Sequence, residues 1–123
     1  MNQLLVNLGH PLADVAETEL EALIGPYDTC VVRVQLDLEA PLAEQVTAAI
    51  DAAGISSETW QTRGIVLNLP GVSLAAAIAV TEIAGRTGTQ PRVIQLSRAE
   101  DGVFHVAEIV DLMKVRGAAR AAR

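Results

Sequence analysis

Short apolar runs alternate along the chain with stretches in which apolar residues recur every three or four positions. Leu4 to Leu8 is mostly apolar, interrupted at Asn7, and reads as a buried strand. Leu12, Val15, Ala16, Leu20, Leu23 and Ile24 then share one helical face, with Asp14, Glu17 and Glu21 outside it. Pro11 opens that helix and Gly25-Pro26 stops it. Residues 30–38 have a different period. Val32, Val34, Leu36 and Leu38 alternate with Arg33, Gln35 and Asp37, which predicts a half-exposed strand near a sheet edge. Pro41 opens a second helix with Leu42, Val46, Ala49, Ile50 and Ala53 on one face, and Gly54 ends it.

Residues 56–64 read as a polar connection and 65–70 as a third strand. Ser73 is placed to cap a helix over 74–86 that carries no charge before Glu82. A helix apolar nearly all round is buried on more than one side, so it is either a homodimer interface or a central core helix. Residues 91–97 and 103–112 form the last two strands, joined by a hairpin turn over 98–102. The chain closes with a weak helix or a basic tail over 113–123, containing Gly117. This order predicts an α/β fold. Its sheet is mostly parallel, with helices on both faces and a C-terminal antiparallel hairpin strand.

Bulk properties narrow the function classes. A chain of 123 residues, half of them hydrophobic, suits one domain with a full core. With one Trp, one Tyr and one Phe it has too few rings to stack a run of bases. Cys30 has no partner for a disulfide, and no Cys/His cluster marks a metal site, so no metal and no cofactor is expected. No leader and no membrane span are expected either, which points to the cytoplasm. The net charge of −6 is uneven: residues 1–60 carry −9, with Arg33 the only base, and residues 61–123 carry +3. An acidic total argues against a DNA or RNA coat. A basic patch in the second half still leaves room for a small phosphorylated ligand, unless the charges from Lys114 onward merely solvate a helix end.

In an open α/β sheet, ligands gather beyond the carboxyl ends of the strands, where strand order reverses. The first strand ends in Asn7, Gly9 and His10. The third ends in Asn68, Pro70 and Gly71, with Ser73 opening the next helix. Glycines admit a backbone close to a ligand, and helix N-termini favour phosphate. Ser97 and Arg98 extend the same end of the sheet. All of these residue types are also ordinary turn formers. Arg86 stands four residues after Glu82, so a salt bridge competes with any phosphate for it. No nucleophile is marked. Metal-free cleavage of RNA would need only donors such as His10 or Asn68 to stabilise the attack of the substrate's own 2′-hydroxyl.

Several stretches resemble a small family of CRISPR-associated proteins from type III loci: HPL (10–12), QLDLEAPLAEQV (35–46), WQT (60–62), VLNLPGVSLAAA (66–77), EIAGRTGTQPRVIQL (82–96), and VAEIVDL with VRGAAR (106–120). The family is grouped with the ring nucleases. The resemblance implies a Rossmann-like, CARF-like domain over residues 1–123 that acts as a homodimer. Its implied ligand is cyclic tetra-adenylate, the second messenger of type III defence. Higher assembly is left open, and neither DNA nor a membrane is an expected partner. Positions that match the stretches and face the expected cleft are His10, Asn68 and Gly71. Arg86 matches but lies near the far end of its helix. The leading expectation is a binder that lowers the free messenger by sequestration. The alternatives are a metal-independent ring nuclease, with His10 or Asn68 in the transition state, and a dimeric protein-interaction regulator without a nucleotide ligand.

Overall fold

The computed structural model describes residues 1–123. Ten elements make up the chain: β1 (Gln3–Asn7), α1 (Asp14–Ile24), β2 (Tyr27–Val31), α2 (Leu42–Ala52), α3 (Ser57–Thr62), β3 (Ile65–Asn68), α4 (Ser73–Thr87), β4 (Arg92–Arg98), β5 (Phe104–Asp111) and α5 (Leu112–Ala121). The strands form one sheet in the order β2-β1-β3-β4-β5. β1 runs parallel to β2 and β3, and β3 parallel to β4, whereas β4 and β5 are an antiparallel hairpin. The arrangement is Rossmann-like, and strand order reverses between β1 and β3.

Central strands explain the unbroken apolar runs. Leu4, Val6, Leu8, Ile65 and Leu67 face one layer, where they meet Val46 and Ile50 of α2, Trp60 of α3, and Ala75, Ala79 and Ile83 of α4. Leu5 and Val66 face the other, against Leu20 of α1 and Ile94. Side chains that alternate between two covered faces must be apolar at every position. On α4, alanines at four-residue spacing leave room for the helix to lie close to the sheet. Gly88, in the left-handed region at φ 85°, ends it by donating to Ala84 O. No helix is long and apolar enough to cross a membrane.

Four local expectations need correction. The strand expected over 30–38 stops at Val31. Val32 N–H still donates to Asn7 O at 2.8 Å, but β1 ends there, so later residues have no neighbouring strand. The alternation itself persists: Val34 and Leu36 pack on the core, and Arg33 and Gln35 point outward. Residues 57–62 form a short helix, with Ser56 Oγ accepting from Thr59 N–H at 3.1 Å. It buries Trp60, whose Nε1 finds no acceptor. α1 begins at Asp14 rather than at Pro11. Ser73 is the first helical residue of α4, and Val72 holds the cap position without a side-chain bond. Of the two readings of the tail, the helix is the one that forms: Asp111 Oδ1 accepts from Met113 N–H at 2.9 Å and starts α5.

Helix α4 is buried on one side only. Ala75, Ala79 and Ile83 are inside, whereas Ala77, Thr81 and Gly85 line an outer groove of about 480 Å³ against Ala43 and Thr47 of α2.

Candidate functional site: a carboxylate-free cleft at the strand ends

The strands create the site by ending at different heights. β1 and β3 stop together, with Asn7 opposite Asn68. β4 pairs with β3 only at Arg92 and Val93, then runs on to Arg98 with β5 as its sole neighbour. The β4–β5 arm therefore rises past the floor on one side. On the other side the extended chain beyond β2 rises from Val31 to Leu38. Between them lies an open cleft of about 1110 Å³. That volume lies just above the usual span of small-molecule sites, roughly 300–1000 Å³.

The floor is held by the two asparagines. Asn68 Nδ2 donates to Asn7 Oδ1 at 3.0 Å and to His10 O at 3.2 Å. Asn7 Nδ2 donates to His10 O at 3.1 Å, and Asn7 Oδ1 also accepts from Gly9 N–H at 2.9 Å. Both side chains are buried, at 4% and 6% exposure, and three of these four bonds shape the Gly9–His10 turn. The turn must be glycine at position 9. A Cβ there would lie 2.6 Å from Leu69 O and 3.1 Å from Asn68 Nδ2. The asparagines thus act as a brace beneath the cleft, and the His10 imidazole, which makes no hydrogen bond of its own, stands exposed on its wall.

Of the residues expected at the site, Gly9, His10, Asn68, Pro70 and Gly71 line the cleft. Asn7 lies directly under it. Ser73 adjoins it through Val72, at the N-terminus of α4. The first turn of α4 has no side-chain cap and no acid, so its early N–H groups are open toward an anion. The first turn of α1 is also uncapped but carries Asp14 and Glu17. Ser97 and Arg98 are exposed at the tip of the arm, where the Arg98 guanidinium lies 5.2 Å from the centroid of the Phe104 ring. Arg86 is elsewhere. It lines the α2–α4 groove and pairs with Asp51 at 2.6 Å and Glu82 at 2.8 Å.

Two residues not expected at the site, Arg33 and Phe104, stand on opposite walls of the cleft. Arg33 is exposed, without an ion pair, and is the only base in the first sixty residues. That isolation was a signal: a lone cation on the outer side of an alternating stretch, two positions before Gln35. The 23 lining residues include no Asp and no Glu. His10 and Arg33 are the only ionisable side chains among them. No group of three or more His, Cys, Asp or Glu side chains is arranged to hold a metal ion.

No protein-family model matches the chain, and no match was found among curated proteins or solved structures.

Proposed function

We propose that the protein binds cyclic tetra-adenylate, the messenger of type III CRISPR defence, in this cleft and lowers its free level by holding it. The observation that carries the reading is the absence of carboxylates from the lining of a chain with 15 acids against nine lysines and arginines. A surface drawn at random from this composition would include acids. This one excludes them and keeps two groups able to carry positive charge, on walls that are otherwise mostly apolar. Such a lining suits an anion with flat, apolar rings. Phosphates would meet Arg33, His10 and the open N–H groups at the start of α4. Adenines would lie against Leu12, Val72 and Phe104, with the Arg98 cation nearby. The resemblance noted in the sequence supplies the identity of that anion.

A ring of four nucleotides has two-fold symmetry and suits two copies of the cleft facing one another. Val31, Leu38 and Phe104 on the rim are 62%, 67% and 47% exposed, and a second copy would cover them. On this reading the protein meets its messenger in the cytoplasm. Sequestration is favoured over cleavage because the amide groups of Asn7 and Asn68 are committed to each other and to the turn. The free His10 imidazole favours the second reading, metal-independent cleavage in which His10 stabilises charge as the ring's 2′-hydroxyl attacks.

Incubation with labelled cyclic tetra-adenylate in EDTA, a native gel, then denaturation and chromatography of the nucleotide separates the readings. A shifted band whose ring is intact after denaturation supports sequestration. A shift that gives way to linear products supports the ring nuclease. No shift at excess protein rejects both.

A further inference from the structure

The β4–β5 arm carries a histidine that the cleft does not use. His105 stands between two carboxylates. Its Nδ1 lies 3.2 Å from Glu19 Oε2 on α1, and its Nε2 lies 3.0 Å from Asp101 Oδ2 in the hairpin turn. Each carboxylate spends its other oxygen on the backbone of the arm. Glu19 Oε1 accepts from Val106 N–H at 3.1 Å, and Asp101 Oδ1 accepts from Val103 N–H at 2.9 Å. One imidazole ring therefore joins a helix, a turn and a strand. Across the ladder it faces Ser97, and the next charged side chain on β4, Arg98, is turned onto the Phe104 ring.

Only the imidazolium donates from both nitrogens. A neutral ring would present a lone pair to one of the two carboxylates. The hydrogen bonds to Asp101 and Glu19 accordingly raise the His105 pKa above its ordinary value. The Val103 N–H, and after it the His105 bond, hold the Asp101 carboxyl below its own.

We propose that His105 is a proton-controlled latch that fastens the β4–β5 arm, and with it one wall of the cleft, to α1. The adjoining residues Gly102, Val103 and Phe104 line the cleft on the arm side, and Leu12, Ala13 and Ala16 line it at the start of α1. The proton on His105 thus couples two parts of one lining. A pKa raised in the folded state stabilises that state fully below the unfolded value and loses the effect as pH climbs through the folded one. The arm is fastened in mildly acidic solution and released as the medium turns alkaline. The latch is a property of the ligand-free chain and does not depend on what the cleft binds.

The test is amide hydrogen exchange by NMR on ligand-free protein, with rates corrected for intrinsic pH dependence. Between about pH 6 and about pH 8.5, protection of the Val103 and Val106 amides should fall at least about tenfold while β1 and β3 amides hold theirs. His105→Gln should show weak arm protection at both values. Glu19→Gln, an exchange on a partly exposed helix position, should lower the pH at which the His105 ring titrates. Arm protection that ignores pH in the wild type, or a pH response that survives in His105→Gln, overturns the latch.

Discussion

Asn7 and Asn68 occupy matching positions on β1 and β3, and both side chains donate to the same carbonyl, that of His10. The convergence explains why two parallel strands end in the same polar residue inside an apolar core. β1 must turn sharply to reach α1, and its turn leaves a part-buried carbonyl that no strand can satisfy. Two amides from neighbouring strands satisfy it and fix where His10 points.

Asn68→Ala should therefore lower stability by about 1–3 kcal/mol, the cost of losing two hydrogen bonds to acceptors that each keep one donor, Gly9 N–H on Asn7 Oδ1 and Asn7 Nδ2 on the His10 carbonyl. Asn68→Asp should cost more, because an ionised carboxylate would face two oxygens with no donor between them. Urea titration monitored by circular dichroism measures both. An aspartate variant as stable as the wild type would contradict the brace.

Two of the cleft's glycines, Gly9 and Gly71, should respond differently. Gly9→Ala drives a methyl group against the Leu69 carbonyl and should cost about 1–3 kcal/mol, with movement of the turn. Gly71→Ala meets nothing within 4 Å, and its stability should stay within about 0.5 kcal/mol of wild type. Thermal melts of the pair make the comparison directly.

The arginines divide by location. Arg33→Ala should weaken cyclic tetra-adenylate binding about tenfold, as loss of one charge-assisted contact would. Arg86→Ala should leave affinity within about twofold and cost no more than about 1 kcal/mol of stability, since its pairs with Asp51 and Glu82 are partly solvated. Fluorescence anisotropy with a labelled ring reads the first effect. If Arg86→Ala is the damaging change, the ligand lies in the α2–α4 groove instead.

Much of the fold was written in periodicity. Strands β1 and β3 were legible because burial on both faces demands apolar runs, and the alternation of strands with helices implied the parallel sheet. The Val32–Leu38 stretch misled because alternation records which side chains are covered, not whether a neighbouring strand exists. Val32, Val34 and Leu36 rest on the core although β1 has already turned away, and Leu38 is exposed. The helix around Trp60 was hidden by its polar neighbours, since a six-residue helix is too short to show a period. Strand ends pointed to His10, Asn68 and Gly71. Arg33 stood out as the only base of the first sixty residues, but its place on the cleft wall depends on how far the chain beyond β2 rises above the floor, which is a three-dimensional fact.

The cleft is tested as the binding site by an amide and side-chain NMR titration with unlabelled cyclic tetra-adenylate. Shifts should centre on Gly9, His10, Leu12, Arg33, Gly71, Val72 and Phe104, with the α2–α4 groove around Thr47 and Arg86 unmoved. Shifts centred on that groove, or none at excess ligand, would contradict binding of the ring in the cleft.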